Sequence, residues 1–274
     1  MPAEYALAGA PEPVLRQAGA RPLRARAFAG LVLHLVARRL KSSHHLTLLG
    51  WGWPVARQLA QLAVLVFIFG NVFDLDIENY PVFVFVGLMA WTWFSGAVSG
   101  AATSVLSQRH LVMQPRLPSS ALPIVAVVVP LVDVLFALPV LILMLAVSTG
   151  VDWGLLACPL LLVVQLALVA GVGWLVAGVS VFLRDVPNLI GVALMILFYL
   201  TPVFYDRSRV PERFRWILDL NPMTTIIDAY RSLLLGTPGP GIVRLGVVTA
   251  VSISVLLLGQ WVFARLAPRF ADYV

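Results

Sequence analysis

The chain has 274 residues, 60% of them hydrophobic and only 12% charged, with a formal net charge of +6 at pH 7. A water-soluble fold of this length cannot cover so much apolar surface with so few charges, so soluble enzymes and soluble binding modules are excluded. Lys41 is the only lysine, and the arginine excess fits the basic flanks of membrane helices better than nucleic-acid binding.

Residues 1–26, rich in Ala, Pro and Arg, read as a mobile cytoplasmic N-terminus. Residues 27–45 follow as an amphipathic helix with Phe28, Leu31, Val32 and Leu35 on one face and His34, Arg38, Lys41 and His45 on the other. A basic amphipathic helix in this position belongs in the cytoplasmic interface plane. Trp51-Gly-Trp53-Pro54 marks where the chain enters the bilayer, with indoles at headgroup depth. Six apolar runs follow, near 53–73, 81–107, 120–149, 154–183, 188–205 and 242–264. Each is close to the roughly 20 residues that a hydrocarbon core demands of a helix.

Charge in the gaps sets the orientation. The N-terminal segment carries Arg16, Arg21, Arg24, Arg26, Arg38, Arg39 and Lys41; the first gap holds only acids, Asp74, Asp76 and Glu78; the second holds only bases, Arg109 and Arg116. By the positive-inside rule both termini are cytoplasmic. The fifth gap, 206–241, is external by parity, yet it contains Arg207, Arg209, Arg213, Arg215 and Arg231. Within it Asn221-Pro222 is a capped helix start. Met223, Ile226, Ile227, Tyr230 and Leu234 then recur at helical spacing, with Asp228 and Arg231 read as lying off that face. About three turns cannot span, so the segment is expected to be a re-entrant or surface helical hairpin. The predicted fold is an all-α polytopic membrane protein, with one six-span domain over 27–274.

Function is narrowed further by what the sequence lacks. It holds no G-x-x-x-x-G-K-[ST] loop, so any ATP would be hydrolysed on another chain. A single cysteine, Cys158, gives neither a disulfide framework nor a Cys metal site. Asp133 is the deepest carboxylate and is expected to be structural, with Arg57 or the glutamines of the first span as partners.

An ordered set of features carries a resemblance over roughly 28–270. These are the interface helix, the short loop Gln108-Arg-His-Leu-Val-Met-Gln-Pro-Arg-Leu-Pro118, the Phe182-Leu-Arg-Asp185 end of the fourth run, Tyr199-Leu-Thr-Pro-Val-Phe-Tyr205, Asn221-Pro222 and Tyr230-Arg231. In this order they resemble the membrane (permease) subunit of type-2 ABC exporters that export O-antigen, teichoic acid and related cell-envelope polysaccharides. The resemblance implies a homodimer in the bacterial inner membrane, paired with two copies of a separate ATPase subunit that binds ATP and Mg, this chain itself binding no cofactor and no metal and performing no catalysis. It implies that Arg109, His110, Gln114 and Arg116 lie in the ATPase-coupling loop, although Met113-Gln114-Pro115-Arg116-Leu117-Pro118 lacks the lysine usual in the family. Trp91, Trp93, Phe94, Phe198, Tyr199 and Tyr205 become candidates for lining a sugar path, because aromatic faces stack on sugar rings. A lipid-linked galactan is one cargo consistent with an Arg- and Ala-rich bacterial composition. Export of drugs or lipids is the alternative. An intramembrane glycosyl- or phosphotransferase is disfavoured, since Asp74-Leu-Asp76-Ile-Glu78, the one acidic cluster, lies on the outer side.

Overall fold

The computed structural model describes residues 25–44, 50–73, 75–108, 118–148, 150 and 153–273. All regular structure among them is helical. Helix α1 is Ala25–His44; α2 is Trp53–Leu65 and runs on through a wider π-turn segment, Val66–Val72; α3 is Tyr80–Ser104; α4 is Ala121–Ser148. Helix α5 is Cys158–Ser180, α6 Val186–Leu200, α7 Arg215–Leu220, α8 Pro222–Leu235, α9 Ile242–Leu266 and α10 Phe270–Tyr273. Residues 1–24, read above as mobile, lie outside the described residues.

Five segments are long and apolar enough to cross a bilayer: Trp53–Val72, Tyr80–Ser104, Ala121–Ser148, Gly154–Ser180 and Ile242–Arg269. The chain is a multi-pass membrane protein. The run expected at 188–205 differs, because its helix, α6, has 15 residues and ends at Leu200. At about 1.5 Å per residue that is roughly 22 Å, short of a hydrocarbon core of about 30 Å. The cause is Pro202. A residue before proline is pushed out of the helical region, and Thr201 is extended, with φ −97° and ψ 134°.

Helix α3 is the hub. In its most apolar stretch 78% of the residues are buried, against 11% to 33% in the other four spanning segments. It reaches α4 through small residues: a Cβ on Gly96 would meet Pro130 at 3.3 Å and one on Gly100 would meet Ala126 at 3.6 Å. Trp93, buried, donates its indole N–H to the Val127 carbonyl of α4 at 3.1 Å. That carbonyl is next to the one Pro130 leaves without its usual helical donor. Gln165 of α5 donates to the Ala90 carbonyl at 2.8 Å, tying a third helix to the hub. Helix α1 buries Val32, Val36 and Leu40 against Ala121 and Val125 at the start of α4.

Helices α5 and α9 approach each other closely. A Cβ on Gly171 would stand 2.5 Å from the Leu256 nitrogen, and one on Gly259 would land on the Gly171 carbonyl. The backbones touch because neither residue has a side chain, the small-residue packing typical of membrane helices. Backbone cannot yield as a flexible side chain does, so Gly259→Val should cost at least the roughly 1–3 kcal/mol usual for overpacking. Gly246, on the same helix with nothing near its missing Cβ, is the control. Thermal unfolding in detergent should show a clear drop for Gly259→Val and almost none for Gly246→Ala.

Candidate functional site

The segment after α6 makes an irregular turn over residues 201–205, and α7 and α8 follow it. Its carbonyls need donors, because Thr201, Val203 and Phe204 are buried and buried backbone polar groups must be satisfied. One residue supplies most of them. Arg231 of α8 is only 2% exposed. Its Nη1 donates to the Pro202 carbonyl at 2.6 Å, its Nη2 to the Val203 carbonyl at 2.6 Å and its Nε to the Phe83 carbonyl of α3 at 3.2 Å. The guanidinium carbon also lies 3.4 Å from the centroid of the Phe83 ring, a cation–π contact. Tyr80 Oη donates to the Phe204 carbonyl at 2.7 Å. Three consecutive carbonyls of the turn are thus each held by a side chain.

Two further residues complete this lock. Gly87 on α3 leaves room for it: a Cβ there would stand 2.7 Å from the Val203 oxygen and 2.8 Å from Arg231 Nη2. Asn221 caps α8, its Oδ1 accepting from the Met223 N–H at 3.0 Å, while its Nδ2 donates to Thr201 Oγ1 at 2.7 Å. Asp228 carries the nearest carboxylate, 4.0 Å from Arg231 Nη1. Burial lifts its carboxyl to about 6, with the Arg231 guanidinium opposing the rise.

Arg231 was placed off the apolar face of its helix by the periodicity reading, and the structure corrects this. It follows Ile227 by four residues and precedes Leu234 by three, both buried, so it lies on the inward face. Gly87 and Tyr80 carried no sequence signal, since their role exists only where α3 meets the turn.

Five of the six aromatic candidates gather in one cluster with Phe204. Trp91 and Phe198 have ring centroids 5.8 Å apart, Phe198 and Tyr199 5.4 Å, and Phe204 bridges to Tyr205 at 5.2 Å. Phe69 of the π-turn segment stacks on Phe204 at 4.7 Å, and Phe94 packs on Trp91 at 5.6 Å. Tyr199 stands out of this cluster, 62% exposed. Trp93 points the other way, into the α3–α4 seam described above.

A family model described as ABC-2 type transporter matches residues 31–235. The chain belongs to the ABC-2 type transporter family. An O-antigen export system permease protein of Myxococcus xanthus is 29% identical over 250 residues, covering 90% of this chain and 96% of the relative. Two O-antigen export system permease proteins of Klebsiella pneumoniae are 28% and 26% identical, each covering 88% of this chain and 94% of the relative.

In this ABC-2 family member Arg57 and Asp133 line one pocket of about 270 Å³ with Gln58, Gln61 and Thr92, where α2, α3 and α4 meet. Gln58, 6% exposed, donates its amide to Thr92 Oγ1 at 3.2 Å. The loop residues Arg109, His110, Gln114 and Arg116 lie outside the described residues. Among the described residues no group of three or more His, Cys, Asp or Glu side chains could hold a metal ion.

Two predictions follow from the lock's chemistry. Arg231→Lys keeps the charge but replaces a planar fork by one ammonium. It strands buried carbonyls, at about 1–3 kcal/mol for each group left unsatisfied. Folded yield and melting temperature should fall, and Gly87→Ala should fall with it because its methyl collides with the same guanidinium. Asp228 sets the second. Its carboxyl titrates higher in the fold than in the unfolded chain, so its contribution to stability is complete below about pH 4 and lost as pH rises through 6. Melting curves across pH 4 to 8 should show Asp228→Asn gaining on the parent protein up to about pH 6 and holding a constant lead above it.

Proposed function

We propose that this chain is the permease subunit of an ABC transporter that exports a lipid-linked cell-envelope polysaccharide, of O-antigen, teichoic acid or galactan type, across the cytoplasmic membrane. The observation that carries the reading is the likeness, over 88% to 90% of the chain, to permeases named for O-antigen export. In this reading two copies pair around a channel and a separate ATPase subunit on each supplies the energy, with ATP and Mg bound there and no cofactor on this chain. The loop bearing Arg109, His110, Gln114 and Arg116 docks into that subunit.

The same reading makes six crossings, with α6 the short one, completed by the turn that Arg231 holds. Both termini are then cytoplasmic, α1 lies in the cytoplasmic interface, and α7–α8 form a re-entrant hairpin on the outer side. Tyr199 offers the sugar chain an exposed aromatic face, with Trp91, Phe94, Phe198 and Tyr205 stiffening the wall behind it and Trp93 holding that wall to α4. Support for this comes from the physics of sugar recognition, in which a flat ring stacks on the apolar face of a pyranose and Tyr adds a hydrogen bond. The aromatic cluster and the bilayer-depth turn lie together, so the hairpin sits over the outer end of the path.

Depletion of the protein in its native cell, with assay of lipid-linked glycans and their sidedness, tests the proposal. A long glycan stranded on the cytoplasmic face is the expected result. Unchanged glycan pools, with altered drug sensitivity or membrane lipid composition, would replace it with drug or lipid export.

A further inference from the structure

We propose that the polar pocket between α2, α3 and α4 holds the phosphate end of the lipid-linked glycan before transport, with the Arg57 guanidinium on the phosphate and Gln61 and Asp133 on the hydroxyls of the first sugar. This rests on the export reading and gives it a loading site separate from the aromatic path.

Location is the first argument. Helix α1 packs against Ala121 and Val125, with Val129 and Val132 alongside, and Asp133 follows directly. Arg57 is the fifth residue of α2. A basic amphipathic helix lies at headgroup depth, so the pocket beside it runs from the phosphate level near Arg57 inward to Asp133, the deepest carboxylate. Cost is the second argument. An arginine, two glutamines and an aspartate gather here in a chain with 12% charged residues, and such groups at membrane depth mark a substrate path more often than packing. The third argument is chemical fit. Guanidinium forks match phosphate oxygens in pairs, while amide and carboxylate groups together donate to and accept from sugar hydroxyls. Gln58 is held by its bond to Thr92, so that wall is fixed before any ligand arrives.

Size and extent separate a sugar phosphate from an ordinary lipid headgroup. A second pocket of about 220 Å³ shares the Gly96 and Pro130 walls and continues along α3 past Thr103, Ser107 and Gln108, with Arg39 of α1 at its edge. Phosphoethanolamine would satisfy Arg57 and Asp133 and leave this row of hydroxyls and amides unused. A diphosphate carrying a sugar uses both.

The test places the full-length chain in phosphatidylcholine nanodiscs and measures binding of a polyprenyl diphosphate with and without one attached hexosamine. Arg57→Ala should weaken both probes about tenfold, and Arg57→Lys should recover part of the loss. Gln61→Leu and Asp133→Asn should weaken only the sugar-bearing probe. A melting temperature matching the parent's identifies the variants that fold, and any one of the four that folds gives its own reading. Unchanged binding in the folded variants overturns the inference. So does displacement of the probe by an equal amount of phosphatidylethanolamine, which would make this a phospholipid site. Absence of binding by the parent protein, while depletion still strands glycan in cells, overturns the loading site alone. Normal glycan sidedness on depletion overturns the export reading, whatever the pocket binds.

Discussion

The guanidinium of Arg231 is the constraint on which the upper half of this protein depends. A buried irregular turn is costly unless its carbonyls find donors within the protein. Arginine suits the task because its donors lie in one rigid plane and reach three acceptors from two different segments. The pocket for it is made by subtraction: Gly87 removes the one Cβ that would fill the space, and Phe83 puts a ring face under the charge. The charge has further compensation in Asp228, whose own burial costs enough to raise its titration to about 6. The lock is a set of mutually dependent groups, and removing one strands the others.

Because the turn is held this way, α6 can be short. This 15-residue helix has no fully buried residue and packs only part-buried side chains, Ile190, Leu194, Leu197 and Phe198, on the core. It is positioned from its end, by Thr201 bonding to Asn221 and by the carbonyls that Arg231 and Tyr80 hold. Helix α3 carries the other half of these contacts, which is why it is the most buried helix. It holds Tyr80, Phe83 and Gly87 toward the turn, then Trp93 and Gly96 toward α4. The close contact of α5 with α9 lies elsewhere and depends only on the absence of side chains at Gly171 and Gly259. The bundle thus combines two kinds of adhesion, shape alone on one side and a polar lock on the other.

The apolar runs were legible because span length is a property of composition, and four of the five that became long helices start and end within about three residues of expectation. Asn221-Pro222 was legible for the same reason: a cap is local chemistry, and Asn221 does cap α8. The length of α6 was not, although Pro202 was in view, because hydropathy continues past Leu200 while the backbone does not. Arg231 was misplaced by assuming that a charge marks the outward face. Helical spacing from Ile227 and Leu234 put it inward, and only the presence of free carbonyls across the gap makes that tolerable. Trp91 and Trp93 show the same limit, since two residues apart on a helix they face an aromatic cluster and a helix seam respectively.

Polar residues divide by depth in a way that separates structure from use. Around the turn Arg231, Tyr80 and Asn221 spend their hydrogen bonds on backbone and on Thr201, and Arg207 and Arg244 share Asp219. Those groups are committed to holding the hairpin. In the pocket between α2, α3 and α4, Arg57, Gln61 and Asp133 line one space, and Gln58 donates to Thr92 across its wall. Polar groups at membrane depth are costly against hydrocarbon. A cavity lined with such groups lowers that cost only when something polar fills it. Water can fill it, and so can a lipid's phosphate and sugar, the end of the cargo that the proposed exporter of a lipid-linked polysaccharide would have to collect.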